Sequence, residues 1–269
     1  MSDAFKLTNP STLHIKQWEQ KESNLITGFT TKNEGVSTAS FASLNMGLHV
    51  SDDLNSVLEN RQILAKHIRF PLNNWVQGEQ IHDAVIQVID KDDRGFGSNS
   101  SETALKGIDG LITNQQGVLC TAVFADCVPL YFFDPVTKYI GIAHAGWKGT
   151  VRQIAKKMVE KLVELGVNPH DLLVAIGPCI SREKYKVDKR VINHIPIEYQ
   201  SKTVFPQKNG QYLLDLKQLN VEIFLHCGVL RTNIVVTKYC TYSHSDLFFS
   251  HRRDQGKTGR MLGFIGYQP

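Results

Sequence analysis

The chain has 269 residues, 42% of them hydrophobic and 21% charged, with a formal net charge of +4. That is length enough for a sizeable core, folded by expectation as a single domain over residues 1–269, and the charge is too small and dispersed to imply nucleic acid as a partner. No run approaches the roughly 18 apolar residues of a membrane span, the start Met1-Ser-Asp-Ala-Phe-Lys carries no charged-then-apolar leader, and five cysteines without dense spacing make no disulfide scaffold. The expectation is a soluble, reduced, cytoplasmic protein.

Residues 1–24 are polar and carry one short predicted strand at 13–15. A strand follows at 25–30, then a Ser/Thr/Ala-rich loop at 37–43 and the segment 44–49. Asp52 or Asp53 is placed to cap a helix over 54–69. On that helix Leu54, Val57, Leu58, Leu64, Ala65 and Ile68 share one stripe at the 3.6-residue period, and Arg61 shares it too. A guanidinium on an apolar face needs a partner, either a structural contact around a buried stem or an anion that it clamps.

His82 lies just before a predicted strand at 84–89, and 90–106 reads as a flexible surface loop. Strands at 109–113 and 118–124 lead into the stretch on which the chain is organised. There Cys127 precedes an apolar strand at 128–133, and His144 follows another at 139–143. Gly146 and Gly149 allow a tight turn, and Thr150 with Gln153 has the spacing of a capping box. The helix beyond it buries Val151, Ile154, Ala155, Met158, Leu162 and Leu165 and stops at Gly166. A strand at 172–176 ends in Gly177-Pro-Cys-Ile180, Asp215 with Gln218 caps a helix through Cys227, and a late strand is predicted at 233–239. Strands and helices alternate too irregularly for a barrel or a doubly wound sheet.

His82, Cys127 and His144 all lie at strand boundaries, where one sheet can bring distant positions together. A thiolate with two imidazoles suits zinc, and three protein ligands leave a fourth position for water or substrate, as in catalytic rather than structural sites. Cys120, Cys179, Cys227 and Cys240 read as structural. The tail carries His251, Arg252, Arg253, Lys257 and Arg260 among glycines, a composition suited to phosphate or another small anion. Lys148, on the turn beside His144, adds a further cation.

The segments Ala125-Asp-Cys-Val-Pro129, His144-Ala-Gly-Trp-Lys-Gly149, Gly177-Pro-Cys-Ile180 and Phe249-Ser-His-Arg-Arg-Asp-Gln-Gly-Lys-Thr-Gly-Arg260 resemble the YfiH/YlmD family. Its members are multi-substrate purine nucleoside phosphorylases, once described as polyphenol oxidases or laccases, and the resemblance spans about residues 25–265. It implies an α+β fold of mixed sheets layered between helices, with kinship to cysteine-dependent toxin domains of the CNF type. It also implies a zinc ion held by His82, Cys127 and His144. Glu79-Gln-Ile-His-Asp83 departs from the family's commoner Gln-x-His-Gly form, with Asp83 in place of the glycine. The implied substrates are adenosine, inosine, guanosine and methylthioadenosine with inorganic phosphate, together with deamination of adenosine. In such an enzyme Arg61, Lys148, His251, Arg252 and Arg253 would hold the phosphate and the leaving base, and Asp126 and Glu79 are proton-transfer candidates by adjacency to the ligands.

Three rival readings remain. A copper polyphenol oxidase would need a histidine-rich set for several coppers, yet the ten histidines include no His-x-His. A metal-free Cys127/His144 hydrolase is chemically reasonable. A factor in peptidoglycan-precursor quality control is a role also linked to the family.

Overall fold

A computed structural model describes residues 3–269. Its centre is a pair of six-stranded sheets. In spatial order the first runs Lys6–Asn9, Thr12–His14, Leu25–Thr30, Met261–Tyr267, Leu119–Phe124 and Trp75–Gln77. The second runs Ile234–Val236, Leu173–Ile176, Val128–Phe133, Ile140–Ala145, Gly110–Thr113 and Ile86–Val88. Most neighbours are antiparallel, but Trp75–Gln77 runs parallel to Leu119–Phe124, and both edges of the second sheet are parallel pairs. The architecture is α+β, with mixed sheets layered between helices.

The layering follows from side-chain alternation along the strands. In Val128–Phe133, Val128, Leu130 and Phe132 join one core while Tyr131 and Phe133 join another. In Leu119–Phe124, Cys120, Ala122 and Phe124 face the second sheet, and Leu119 and Val123 face outward. Strands covered on both faces must be apolar on both, which is why these segments read as unbroken hydrophobic runs. Phe29, Phe124, Tyr131, Phe133 and Ile265 fill the space between the sheets, and the Tyr131 hydroxyl donates across it to the Gly28 carbonyl at 2.7 Å. Outside the first sheet, helix Leu54–His67 sets Leu64 and Ala65 against Trp75, Leu119 and Phe264. Outside the second, helices Ile154–Glu164 and Leu216–His226 set Met158, Leu162, Leu219 and Phe224 against Leu130, Phe132 and Val174. Among the described residues no helix is long and apolar enough to cross a membrane.

Two of the predicted caps form: Asp53 accepts from Ser56 N at 2.8 Å and Asp215 from Gln218 N at 2.9 Å. The capping box at Thr150 and Gln153 does not. Instead a short helix, Trp147–Val151, already contains Thr150, and Gln153 takes a left-handed φ of 66° with no side-chain cap before Ile154–Glu164 begins. The strands predicted at 84–89 and 233–239 shrink to Ile86–Val88 and Ile234–Val236.

Several elements escape a reading of local pattern: the edge strand Lys6–Asn9, helix Lys16–Lys21, a small sheet of Lys186–Asp188, Gln211–Leu214 and Val204–Pro206, and the strand Met261–Tyr267. The last lies in the middle of the first sheet, although Gly263 and Gly266 weaken its strand propensity. Packing requires them. A Cβ at Gly263 would sit 2.7 Å from Tyr131 Oη, and one at Gly266 2.7 Å from the Val118 carbonyl.

Candidate metal centre and its cavity

Strand register brings the three proposed ligands together. Val128 pairs with Ala145 and Pro129 with His144, so Cys127 and His144 emerge at the same end of one hairpin. His82 arrives from the other sheet, on the segment that leaves Trp75–Gln77 alongside Leu119–Phe124. Gln80 anchors that segment by imitating a strand neighbour: its amide nitrogen donates to Val123 O and its amide oxygen accepts from Val123 N, both at 2.8 Å. His82 itself takes a left-handed φ of 63°. Its Nε2 lies 3.8 Å from Cys127 Sγ, and the donor atoms of His82, Cys127 and His144 all lie within 4.8 Å of one another.

These residues fit a metal. An ion bonded at roughly 2.0–2.3 Å to nitrogen and sulfur spans such separations. Gly146 gives the cluster room, since a Cβ there would come within 2.9 Å of the His82 ring and 3.0 Å of Cys127 Sγ.

Asp109, which the sequence did not single out, organises the cluster from behind. Its buried carboxylate lies 2.9 Å from His144 Nδ1 and accepts from the backbone N–H groups of His82 at 3.2 Å and Asp83 at 2.9 Å. His144 N donates in turn to the Asp109 carbonyl at 2.8 Å. A carboxylate on Nδ1 leaves Nε2 as the ligating atom and fixes the ring. Asp109→Asn should therefore lower metal affinity roughly 10-fold to 100-fold in competition with a chelator. An unchanged affinity would separate Asp109 from the site.

Asp83, the departure from the commoner motif, is engaged without crowding the cluster. It pairs with Arg152 at 2.8 Å and accepts from Ala84 N at 2.8 Å.

Burial opposes charge on both Cys127 and His144, yet the pair outweighs it. The charge and hydrogen bonds of His144, with those of His82, hold the Cys127 thiol well below its ordinary range, while Cys127 and Asp109 hold His144 above its own. The thiolate is the form that ligates. By contrast, burial pushes Cys179 up to about 12 and Cys120 higher still, as expected of core thiols.

The cluster lines a cavity of about 560 Å³ at the junction of the two sheets. His49, Gln80, Val123 and Arg260 reach it from the first sheet and its loops, and Trp147, Ile180, Tyr185 and Leu216 from the layer outside the second. Of the cations expected there, Lys148, His251 and Arg252 line the cavity, the last stacked on Tyr185 with 5.0 Å from guanidinium carbon to ring centroid.

Arg61 and Arg253 do not line it, and both expectations are corrected. Arg61 is fully buried. It donates to Met46 O at 2.7 and 3.0 Å, Gly97 O at 2.9 Å, Ser98 O at 2.8 Å and Gln77 Oε1 at 2.8 Å, so all its N–H groups are engaged by neutral oxygens. Arg253 is forked onto Asp254 at 2.8 and 2.9 Å and donates to Thr241 O, Tyr242 O and Phe248 O. It staples the tail loop to its neighbour.

Asp126 does line the cavity, but its carboxylate is taken up by the protein, accepting from Thr241 Oγ1 at 2.6 Å, Ser250 Oγ at 3.0 Å and Arg252 N at 2.7 Å. Glu79 lines the cavity and accepts from Gly107 N at 2.9 Å. His49, Gln80 and Asp109 were missed because no local pattern marks them, whereas Arg260 stood in the cationic tail and was passed over for its neighbours.

A layered α+β fold with a His/Cys/His donor cluster opening on a cavity defines a candidate metalloprotein whose site belongs to both sheets. The chain belongs to the family described as multi-copper polyphenol oxidoreductase laccase, whose model matches residues 26–268. Among its relatives is purine nucleoside phosphorylase YlmD of Bacillus subtilis, 47% identical over 268 residues, covering 97% of this chain and 96% of that one. Two crystal structures are similar throughout. The hypothetical protein YfiH of Bacillus licheniformis has a TM-score of 0.96 at 43% identity, over 99% of this chain and 100% of the other. YlmD from Geobacillus stearothermophilus has a TM-score of 0.94 at 44% identity, over 100% of both chains.

Proposed function

We propose that this chain is a zinc-dependent purine nucleoside phosphorylase acting on adenosine, inosine, guanosine and methylthioadenosine, with adenosine deamination as a second activity. The observation that carries the reading is the His/Cys/His cluster on a cavity with cations and aromatic rings, in a chain 47% identical to a relative bearing that name. His82, Cys127 and His144 would hold the metal, which when bound supplies Lewis acidity at the reacting centre. Asp109 keeps His144 in the ligating tautomer. Trp147 and Tyr185 offer ring faces to a purine, and Lys148, His251, Arg252 and Arg260 together give the cavity the positive potential that draws phosphate in. In phosphorolysis a phosphate oxygen forms a bond to the ribose C1′ as the bond to the base nitrogen breaks, and the base leaves with a proton. Glu79, which lines the cavity and accepts one backbone N–H from Gly107, would in its protonated form supply that proton.

The family description favours a second reading, a multicopper oxidase. Among the described residues, however, one cluster of His, Cys or acidic side chains has metal-holding geometry, and electron transfer through several coppers requires more. Metal analysis and a nucleoside screen decide between them. About one zinc per chain, with purine released only when phosphate is present, supports the phosphorylase. Several coppers with phenol oxidation would replace it, and full activity in metal-free protein would leave a Cys127/His144 hydrolase.

A further inference from the structure

With Arg61 and Arg253 engaged elsewhere, the cations that remain on the cavity differ in how firmly they are held. Arg252 is exposed, donates to Lys186 O at 2.8 Å and leans on Tyr185. Lys148 lies on the short helix Trp147–Val151 at 5.8 Å from the ring of its neighbour Trp147, a flexible stem on the rim. Arg260 is different.

Its backbone is fixed at both ends: N donates to Asn45 Oδ1 at 2.8 Å and O accepts from Met46 N at 2.9 Å. Its stem packs against Gly47, where a Cβ would lie 2.8 Å from Arg260 Cγ. Nη1 donates to the carbonyls of Thr258 at 2.8 Å and Gly259 at 3.0 Å, which sets the plane of the guanidinium. Among the described residues no carboxylate pairs with it, and Nε and Nη2 have no protein acceptor but keep access to solvent from the half-buried side chain on the cavity wall. Desolvation penalises this charge, and Cys127 and Asp126 are the acidic groups near enough to offset it. A guanidinium held in this way, with no paired carboxylate and beside the metal-ligand cluster, has the geometry that suits an oxyanion.

We propose that Arg260, with His49 from the adjoining turn, forms the phosphate subsite of this cavity, and that Trp147, Tyr185 and Leu216 on the facing wall take the purine. The proposal rests on the phosphorylase reading for the identity of the anion, but not for its place. Arginine suits that place because two parallel N–H groups match two oxygens of a tetrahedral anion, and because the orienting contacts are made before binding, so that little freedom is lost on association. His49 lies two residues beyond Gly47, on the cavity, and contributes a ring N–H.

The test is calorimetric titration of the metal-loaded protein with inorganic phosphate and, separately, with inosine. Wild type should bind phosphate, and Arg260→Gln should weaken that binding roughly 10-fold to 100-fold while changing inosine affinity less than about 2-fold. Metal content should stay the same. Arg260→Lys, which keeps the charge and most of the stem against Gly47, should fall between the two. His49→Gln, on an exposed residue, should weaken phosphate by roughly 3-fold and tests the same subsite if the Arg260 variants fold poorly. Phosphate affinity unchanged in the Arg260 and His49 variants, no phosphate binding by wild type, or equal losses for phosphate and inosine would each overturn the proposal. If wild type binds phosphate through Arg260 yet releases no purine, the subsite stands and the phosphorylase reading fails.

Discussion

Cys127→Ala should lose the metal and the activity together. The cluster has three donors, and the thiolate is the only anionic one. With it gone, two imidazoles remain, a pair that holds a divalent ion far more weakly. Metal per chain, measured by mass spectrometry after dialysis, should drop from about one to near zero. Turnover should fall by at least roughly 10³-fold, the equivalent of losing about 4 kcal/mol of transition-state stabilisation from a Lewis acid. Compared as metal-free proteins, variant and wild type should differ little in stability, because Cys127 packs half-buried at the edge of the inter-sheet core rather than inside it. A variant that keeps both metal and turnover would remove Cys127 from the site.

Arg61→Ala should have the opposite signature, a large loss of stability with no specific effect on phosphate. The substitution leaves Met46 O, Gly97 O, Ser98 O and Gln77 Oε1 without their donor inside the protein. Each orphaned buried acceptor costs about 1–3 kcal/mol, so a total of about 4 kcal/mol or more is expected, a fall in melting temperature of roughly 10 °C. Arg61→Lys should recover part of this, because an ammonium offers three N–H groups where five were engaged. In both variants the phosphate concentration for half-saturation should remain at the wild-type value. Weakened phosphate saturation with an unchanged melting temperature would return Arg61 to the role of an anion clamp.

The two arginines taken for anion clamps show where reading the sequence stops. Arg61 was recognised as a cation on an apolar face that needs a partner, and that much was correct. Its partners lie 15 to 37 residues away and are mostly backbone carbonyls, which every residue has and none advertises. Arg253 sits beside its carboxylate, Asp254, in plain view of the sequence, but the fork between them closes only because the loop folds to present Thr241, Tyr242 and Phe248. Arg260, passed over, reaches the cavity because a loop more than 200 residues earlier holds its backbone.

The amino-acid sequence by itself determined what depends on a few neighbouring positions. The unbroken apolar runs of Leu119–Phe124 and Val128–Phe133, the caps at Asp53 and Asp215, and the strand-end settings of Cys127 and His144 are all of that kind, whereas His82 lies in a loop four residues before Ile86–Val88. The tertiary structure alone decided the rest: that Met261–Tyr267 occupies the middle of a sheet, that Asp109 stands behind His144, and that Arg260 rather than Arg61 or Arg253 faces the cavity. The reason is that local conformation is set by each residue's own sterics and near hydrogen bonds. The partner of a charge, in contrast, is whichever group strand register and loop closure carry to it, and register is a property of the whole core.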